Sequence, residues 1–219
     1  MNKSLSWFCK IFIKPIVNFY LIKGIKGWNN IPKRNFILVS NHQSHLDWIA
    51  SAYPCVPGRF TYIGQVDKYT GLAGFGRNIL YFIAGVIPIN RKDNISKKFA
   101  LEKAVKVLKR GDIVIIYPEG TRSRTGEIQK GKSGAAKIHL RSGVPILPMA
   151  IKGTFGLLPP GGKLKIRRTV KINIGQPLDF EEERKMAKIL DCNSEEYRSL
   201  LQKITDRIME EINHLYTEL

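Results

Sequence analysis

Cysteine is scarce in this 219-residue chain: Cys9, Cys55 and Cys192 are far apart and odd in number. That excludes a disulfide framework, and no pair has zinc-ligand spacing, so free thiols in a reducing, cytoplasmic setting are expected. Acidic residues are also few, 18 against 36 Lys and Arg, for a formal net charge of +18 at pH 7. The deficit favours anionic partners: nucleic acid, an acidic membrane surface or phosphorylated metabolites. Internal repeats and low-complexity tracts are missing. The length suits one domain with a small appendage and is enough to bury a real core.

A long uninterrupted apolar run is missing too. The nearest approach, "SLSWFCKIFIKPIVNFYLI", is broken by Lys10, Lys14 and Pro15. Two lysines in a spanning helix would cost about 2.5–3.5 kcal/mol each near the bilayer centre. On a helical wheel Lys3, Lys10, Lys14 and Asn18 share one stripe, while Leu5, Trp7, Phe8, Ile11, Phe12 and Ile16 occupy the rest. This pattern predicts an amphipathic helix lying in a membrane interface, with Lys23 and Lys26 near anionic headgroups. The competing reading is a helix packed on the protein's own core. No small-residue cleavage site follows, so a signal peptide is not expected.

Further along, "GIKGWNNIPKRN" reads as a turn-rich linker and "FILVS" as a buried strand. "HLDWIASAY" reads as a short helix and "RFTYIGQ" as a strand. A Gly-rich segment then leads into "RNILYFIA". "GVIPINR" is strand-like, and "ISKKFALEKAVKVLKRG" is an amphipathic helix stopped by Gly111. "DIVIIYPEG" is a buried strand entering a polar loop, "SGAAKIHLRSG" a helix and "VPILPMAIKG" a strand. "KLKIRRTVKINIGQP" alternates like strands near an edge, and the segment from about Glu181 to Leu219 is helical. Strands alternating with helices predict an α/β fold: a largely parallel central sheet flanked by helices, with an N-terminal amphipathic membrane-docking segment. The expected division is residues 1–30 for that segment and 31–219 for the α/β domain.

In such sheets the loops after strand C-termini carry ligands. "SNHQSHLD" (40–47) and "YPEGTRS" (117–123) both lie there. Ser44-x-x-Asp47 has the form of a helix-start box, with Ser44 as N-cap. On one continuous helix His42 and Asp47 would point about 140° apart. If the helix starts near His45, His42 lies in the preceding loop and folds back to Asp47. The carboxylate then fixes the imidazole tautomer and raises the basicity of the other nitrogen, leaving His42 able to take a proton from a hydroxyl. Two plainer readings stand beside this one. Asp47 can be a helix cap with His42 a satisfied loop residue, or His42 and His45 can be metal ligands, for which Cys55 is the only nearby soft partner.

The second loop, "YPEGTRSRTGEIQKGKSG", gathers Glu119, Thr121, Arg122, Ser123, Arg124, Lys130 and Lys132 around glycines. Gly120 permits a sharp turn and close approach of a ligand. Arg122 offers a planar fork for phosphate oxygens and Lys132 a movable charge, and a helix starting near Ser133 adds its positive end. Within the loop Gly126 to Ser133 matches the P-loop string G-x-x-x-x-G-K-S. A P-loop needs its first glycine directly after a buried strand, and here the strand ends near Tyr117, so an NTPase is not expected.

Together these blocks resemble the glycerolipid acyltransferase family that includes lysophosphatidic acid acyltransferases. "NHQSHLD" is similar to its Asn-His-x-x-x-x-Asp block and "YPEGTRS" to its Phe-Pro-Glu-Gly-Thr-Arg-Ser block. "GVIPINR", ending at Arg91, is similar to its Gly-x-x-x-Ile-x-Arg block, and "VPILPMAIKG" to its Val-Pro-Ile-x-Pro block. The four occur in family order over about residues 35 to 155. The departures are Tyr117 in place of Phe, Asn90 where an acidic residue often precedes the Arg, and "DKYTGLAGFGRN". That last stretch keeps Lys68 and Phe75-Gly76 but lacks the usual Glu-Leu and Pro.

The resemblance implies acyl transfer from a thioester, acyl-CoA or acyl carrier protein, to the free hydroxyl of 1-acylglycerol-3-phosphate, giving phosphatidic acid. His42 would be the general base and Asp47 its orienting partner. Arg91, Glu119, Gly120, Thr121 and Arg122 would bind or organise the glycerol phosphate, and the reading of the loop adds Lys132 and Lys130. Pro145 and Pro148 would shape the sheet and the acyl site. No metal or redox cofactor and no nucleic acid is expected. The expected partners are the lysophospholipid, the acyl donor and the membrane surface, at the cytoplasmic face of the cell membrane as a peripheral or monotopic protein. A close variant uses another lysophospholipid or hydroxyl acceptor. A different class, a non-enzymatic basic protein binding membranes or nucleic acid, would use the charge alone.

Overall fold

The computed structural model describes residues 3–65 and 85–219. The Gly-rich segment, "RNILYFIA" and the departure around Lys68 and Phe75-Gly76 lie outside the described residues. Among those described, the strands are β1 (Ile22–Lys26), β2 (Ile37–Ser40), β3 (Phe60–Gln65), β4 (Ile87–Ile89), β5 (Ile113–Ile116), β6 (Ile146–Lys152) and β7 (Val170–Ile174). They form one sheet in the order β1-β7-β6-β2-β5-β3-β4. Every pairing is parallel except β6 with β7. The largely parallel α/β sheet read from the sequence is what forms.

The strands at the centre, β6, β2 and β5, are nearly unbroken apolar runs, as suits strands covered on both faces. Period-2 alternation sorts them. Leu38, Ile115 and Leu147 enter one core layer, while Ile37, Val39, Val114, Ile116 and Ile146 enter the other. The second layer is closed by α4 (Asn94–Lys109), α5 (Gly134–Ser142) and α8 (Glu195–Thr217). Asp93 caps α4 by accepting the N–H groups of Ile95 and Ser96, and Gly111 (φ 82°) turns the chain just beyond its end. α8 is capped by Ser194 and buries Leu201, Ile204, Ile208, Ile212 and Leu215 along one stripe.

The other face carries α3 (Asp47–Ala52) and an N-terminal helical arm: α1 (Lys3–Phe8), a π-helical turn (Cys9–Ile13) and α2 (Lys14–Tyr20). The arm meets the protein with its small and polar side. Ser6 Oγ donates to the Gly58 carbonyl (2.7 Å), Val17 enters the core, Asn18 accepts from Tyr53 Oη, and Lys14 Nζ sits 4.5 Å from the rings of Trp28 and Tyr53. Its aromatic and aliphatic side is left outside: Trp7, Phe8, Ile11, Phe12, Ile16 and Phe19 are all exposed. A helix that served only to cover the core would face the opposite way. Among the described residues no helix is long and apolar enough to cross a membrane.

Two sequence expectations are corrected. Edge strand β1 takes the last residue of the amphipathic stretch, Ile22, and the first three of the expected linker, residues 24–26, with only Ile22 buried. "KLKIRR" is not a strand. It belongs to an exposed loop between α6 (Thr154–Leu157) and β7, because no neighbouring strand offers it a ladder. The C-terminal helical region is two helices, α7 (Glu181–Ala187) and α8, with residues 188–194 between them.

Candidate functional site

β2 and β5 are neighbours and parallel, so the loops that follow them leave the same edge of the sheet side by side. His42 lies in the first loop and α3 starts at Asp47, so the imidazole folds back onto the carboxylate, with Nδ1 to Oδ2 at 2.9 Å. The same oxygen accepts the N–H groups of Gln43 (2.6 Å) and Ser44 (2.7 Å). In the tautomer with the proton on Nδ1, that nitrogen is a third N–H donor to the same oxygen. Nε2 then carries the free lone pair, and the ring, 8% exposed, borders a cavity.

The helix-start box forms only in half. Asp47 reaches back to the Ser44 N–H, but Ser44 Oγ accepts from Leu46 N and donates to the Leu158 carbonyl. Asp47 thus serves the loop and the imidazole together. Among the described residues no group of three or more His, Cys, Asp or Glu could hold a metal ion. Cys55 is buried in the core with its thiol against the Ser51 carbonyl.

Residues that sequence reasoning did not assign hold His42 in place. Asn41 clamps β2 to β6 by donating to the Ile151 carbonyl and accepting its N–H, both at 2.8 Å. The Tyr117 ring stacks on the imidazole (centroids 4.0 Å, 11°), and its hydroxyl bonds Ser51 Oγ at 2.8 Å. Burial pushes the Tyr117 phenol far above its ordinary value, so it stays neutral. Gln43 reaches into the second loop at the Gly126 carbonyl.

Glu119 joins the two loops. Oε1 accepts the His42 N–H (2.7 Å), Oε2 accepts the Gln129 N–H (3.1 Å), and Ser123 N donates to the His42 carbonyl (2.8 Å). Burial raises the Glu119 carboxyl to about 7, against the opposing pull of those two N–H groups.

The cavity is about 960 Å³. It brings together His42 and the predicted Arg91, Gly120, Thr121, Arg122 and Lys132, while Asp47 and Glu119 stand behind its wall. Four further cations, Lys97 and Lys98 on α4 and Lys137 and Arg141 on α5, also line it, and none of its described lining residues is acidic. Lys130 is exposed and is not among them. Gly120 has φ 72°, and a Cβ there would stand 3.1 Å from Lys132 Nζ, so this glycine both turns the loop and leaves space for the lysine. Ser133 and Gly134 at the start of α5 face the same space. The P-loop string lacks its strand: β5 ends at Ile116, and residues 117–125 intervene before Gly126.

The arrangement can hold a polyanionic head beside an imidazole. Comparison with known proteins agrees in kind. The family model described as Acyltransferase matches residues 24–152. The chloroplastic 1-acyl-sn-glycerol-3-phosphate acyltransferase LPAT1 of Arabidopsis thaliana is 30% identical over 167 residues, covering 74% of this chain and 45% of that protein. The 1-acyl-sn-glycerol-3-phosphate acyltransferase of Borreliella burgdorferi is 34% identical over 142 residues, 61% of this chain and 54% of that one. The chain spans about half the length of these curated relatives. The crystal structure of the 1-acyl-sn-glycerophosphate acyltransferase PlsC from Thermotoga maritima superposes with a TM-score of 0.63 at 30% identity, covering 96% of this chain and 79% of that one.

Proposed function

Because the chain belongs to the Acyltransferase family, we propose that it transfers an acyl group from a thioester to the free hydroxyl of 1-acylglycerol-3-phosphate, giving phosphatidic acid. The observation that carries this reading is His42, bound to Asp47 through Nδ1 while its ring borders a cavity lined by cations. Nε2 takes the proton as the acceptor oxygen forms its bond to the thioester carbonyl carbon. The tetrahedral intermediate then expels the sulfur, and the imidazolium returns the proton to the leaving thiolate. Such a base contributes about 10²–10⁴-fold. The hydroxyl attacks directly, so no enzyme nucleophile is needed.

Arg91, Arg122 and Lys132 hold the acceptor's phosphate in this scheme, with Thr121 beside them and Gly120 leaving space for Lys132. Glu119 acts from behind by fixing the loops. The acceptor resides in a bilayer, and the outward apolar side of residues 3–20, with Lys3, Lys10 and Lys23 nearby, is suited to lie in the cytoplasmic face of the cell membrane. The docking role assigned to residues 1–30 therefore falls to its helical part, since β1 belongs to the sheet. The test is a panel of lysophospholipid acceptors offered with acyl-CoA or acyl carrier protein, following thiol release. Turnover that requires lysophosphatidic acid supports the reading. Turnover only with another lysophospholipid moves the chemistry to that acceptor, and none with any acceptor overturns it.

A further inference from the structure

The loop before β7, part of a stretch read from the sequence as strands near an edge, is a basic segment that neither the sheet nor the cavity uses. From Gly161 to Thr169 every residue is exposed. The stretch reads Gly-Gly-Lys-Leu-Lys-Ile-Arg-Arg-Thr: four cations, no acid, and two aliphatic side chains, Leu164 and Ile166, 55% and 64% exposed. It is fixed at its middle and at its far end. Lys165 N donates to the Leu157 carbonyl, and at the far end Arg168 Nε donates to the Ile22 carbonyl and Val170 N to the Leu21 carbonyl. β7 runs antiparallel to β6 and β1 parallel to β7, so this loop and the end of α2 both lie on the edge that carries His42. Its start is tied to that site directly, through Ser44 Oγ and the Leu158 carbonyl.

We propose that residues 161–169 are a second bilayer-docking element, which sets Leu164 and Ile166 into the headgroup boundary of an anionic leaflet while Lys163, Lys165 and Arg167 lie against lipid phosphates. The proposal rests on the reading that the enzyme works at a membrane surface, and it adds a site of contact that the N-terminal arm does not supply. Alternating cations with exposed aliphatic side chains is the composition of an interfacial segment, since apolar insertion and attraction to anionic lipid act together. Nucleic acid would use the cations but offers nothing to Leu164 and Ile166. An acidic carrier protein would do the same, and the surface continuous with the loop is the exposed aromatic end of α2, Phe19 and Tyr20. Two contacts rather than one would also fix the tilt of the molecule, bringing the sheet edge with His42 toward the lipid.

The test is sedimentation of the full chain with phosphatidylcholine vesicles, with and without phosphatidylglycerol. It uses wild type, L164N/I166N, K163Q/K165Q/R167Q and an arm variant, F8N/F12N. The loop variants are expected to lose at least about tenfold in partitioning. The aliphatic pair should lose it on both vesicle types and the cationic triple only on the anionic one. Turnover of a short-chain, freely soluble lysophosphatidic acid should stay at the wild-type level in both, because the loop lies outside the cavity. Amide exchange over 161–169 should slow on anionic vesicles. Loop variants that partition like wild type while F8N/F12N does not would overturn the proposal and leave the membrane reading intact. Wild type that binds neither vesicle would overturn both. Unchanged partitioning with turnover lost only for a carrier-protein donor would reassign the loop to an acidic protein.

Discussion

The Glu119 carboxylate accepts the backbone N–H of His42 at 2.7 Å, so the acid of one loop fixes the main chain of the residue that leads the other. Its second oxygen takes the Gln129 N–H, and the residue is 2% exposed. Both oxygens are occupied by backbone, which suits organising the acceptor site rather than touching its phosphate. A buried carboxylate facing a phosphate would repel it.

Glu119 should leave a signature in the pH dependence of stability. Its carboxyl is raised to about 7 from an ordinary 4.5, so between those values the folded state holds a proton that the unfolded state has released. Stability therefore falls as pH rises from about 4.5 to 7, by up to about 3 kcal/mol from this group, and is level above that. Denaturant titrations from pH 5 to 8 should show this decline in wild type and a flatter profile in E119Q. E119Q should also start lower, by about 1–3 kcal/mol, because its amide NH2 meets one of two backbone donors.

The Tyr117 ring and hydroxyl have separable duties. Y117F keeps the stack on His42 and gives up one bond to Ser51, costing about 1 kcal/mol of stability with turnover nearly unchanged. Y117A removes the surface on which the imidazole rests, and should lose about 3 kcal/mol or more and most of the turnover. Thermal unfolding and initial rates on the two variants separate these outcomes.

Arg122 and Lys132 should discriminate between acceptors. Removing one charge-assisted phosphate contact costs about 1.5–3 kcal/mol, so R122A and K132A should each lower kcat/KM for lysophosphatidic acid by roughly 10–100-fold. An acceptor without the phosphate should be turned over as by wild type. G120A should share the K132A defect, because its Cβ would crowd Lys132 and its φ of 72° disfavours a side chain.

Much of this was legible in the chain. "FILVS", "DIVIIYPEG" and "VPILPMAIKG" are central strands covered on both faces, so their apolar runs are unbroken and unmistakable. The pairing of His42 with Asp47 followed from one local inference, that the helix begins after His42. β1 was hidden because an edge strand needs only one buried residue, Ile22, which closes the amphipathic stretch, while residues 24–26 merge into the turn-rich residues that follow. "KLKIRR" misled in the opposite sense: its alternation suits a strand, yet pairing requires a partner that sequence does not display. Asn41 and Tyr117 stand inside the quoted blocks, but their contacts, like those of the cations of α4 and α5, join segments far apart in the chain, so no local pattern assigns what they do.

Whether His42 acts as the base is read from the pre-steady-state rate of thiol release from acyl-CoA with saturating lysophosphatidic acid, measured for wild type and H42A. His42 lies at the cavity wall, so the variant should fold, as circular dichroism would verify, and should bind the acceptor with little change. The expected rate is at least about 10²-fold below wild type. A folded H42A protein that releases thiol within threefold of the wild-type rate would contradict it.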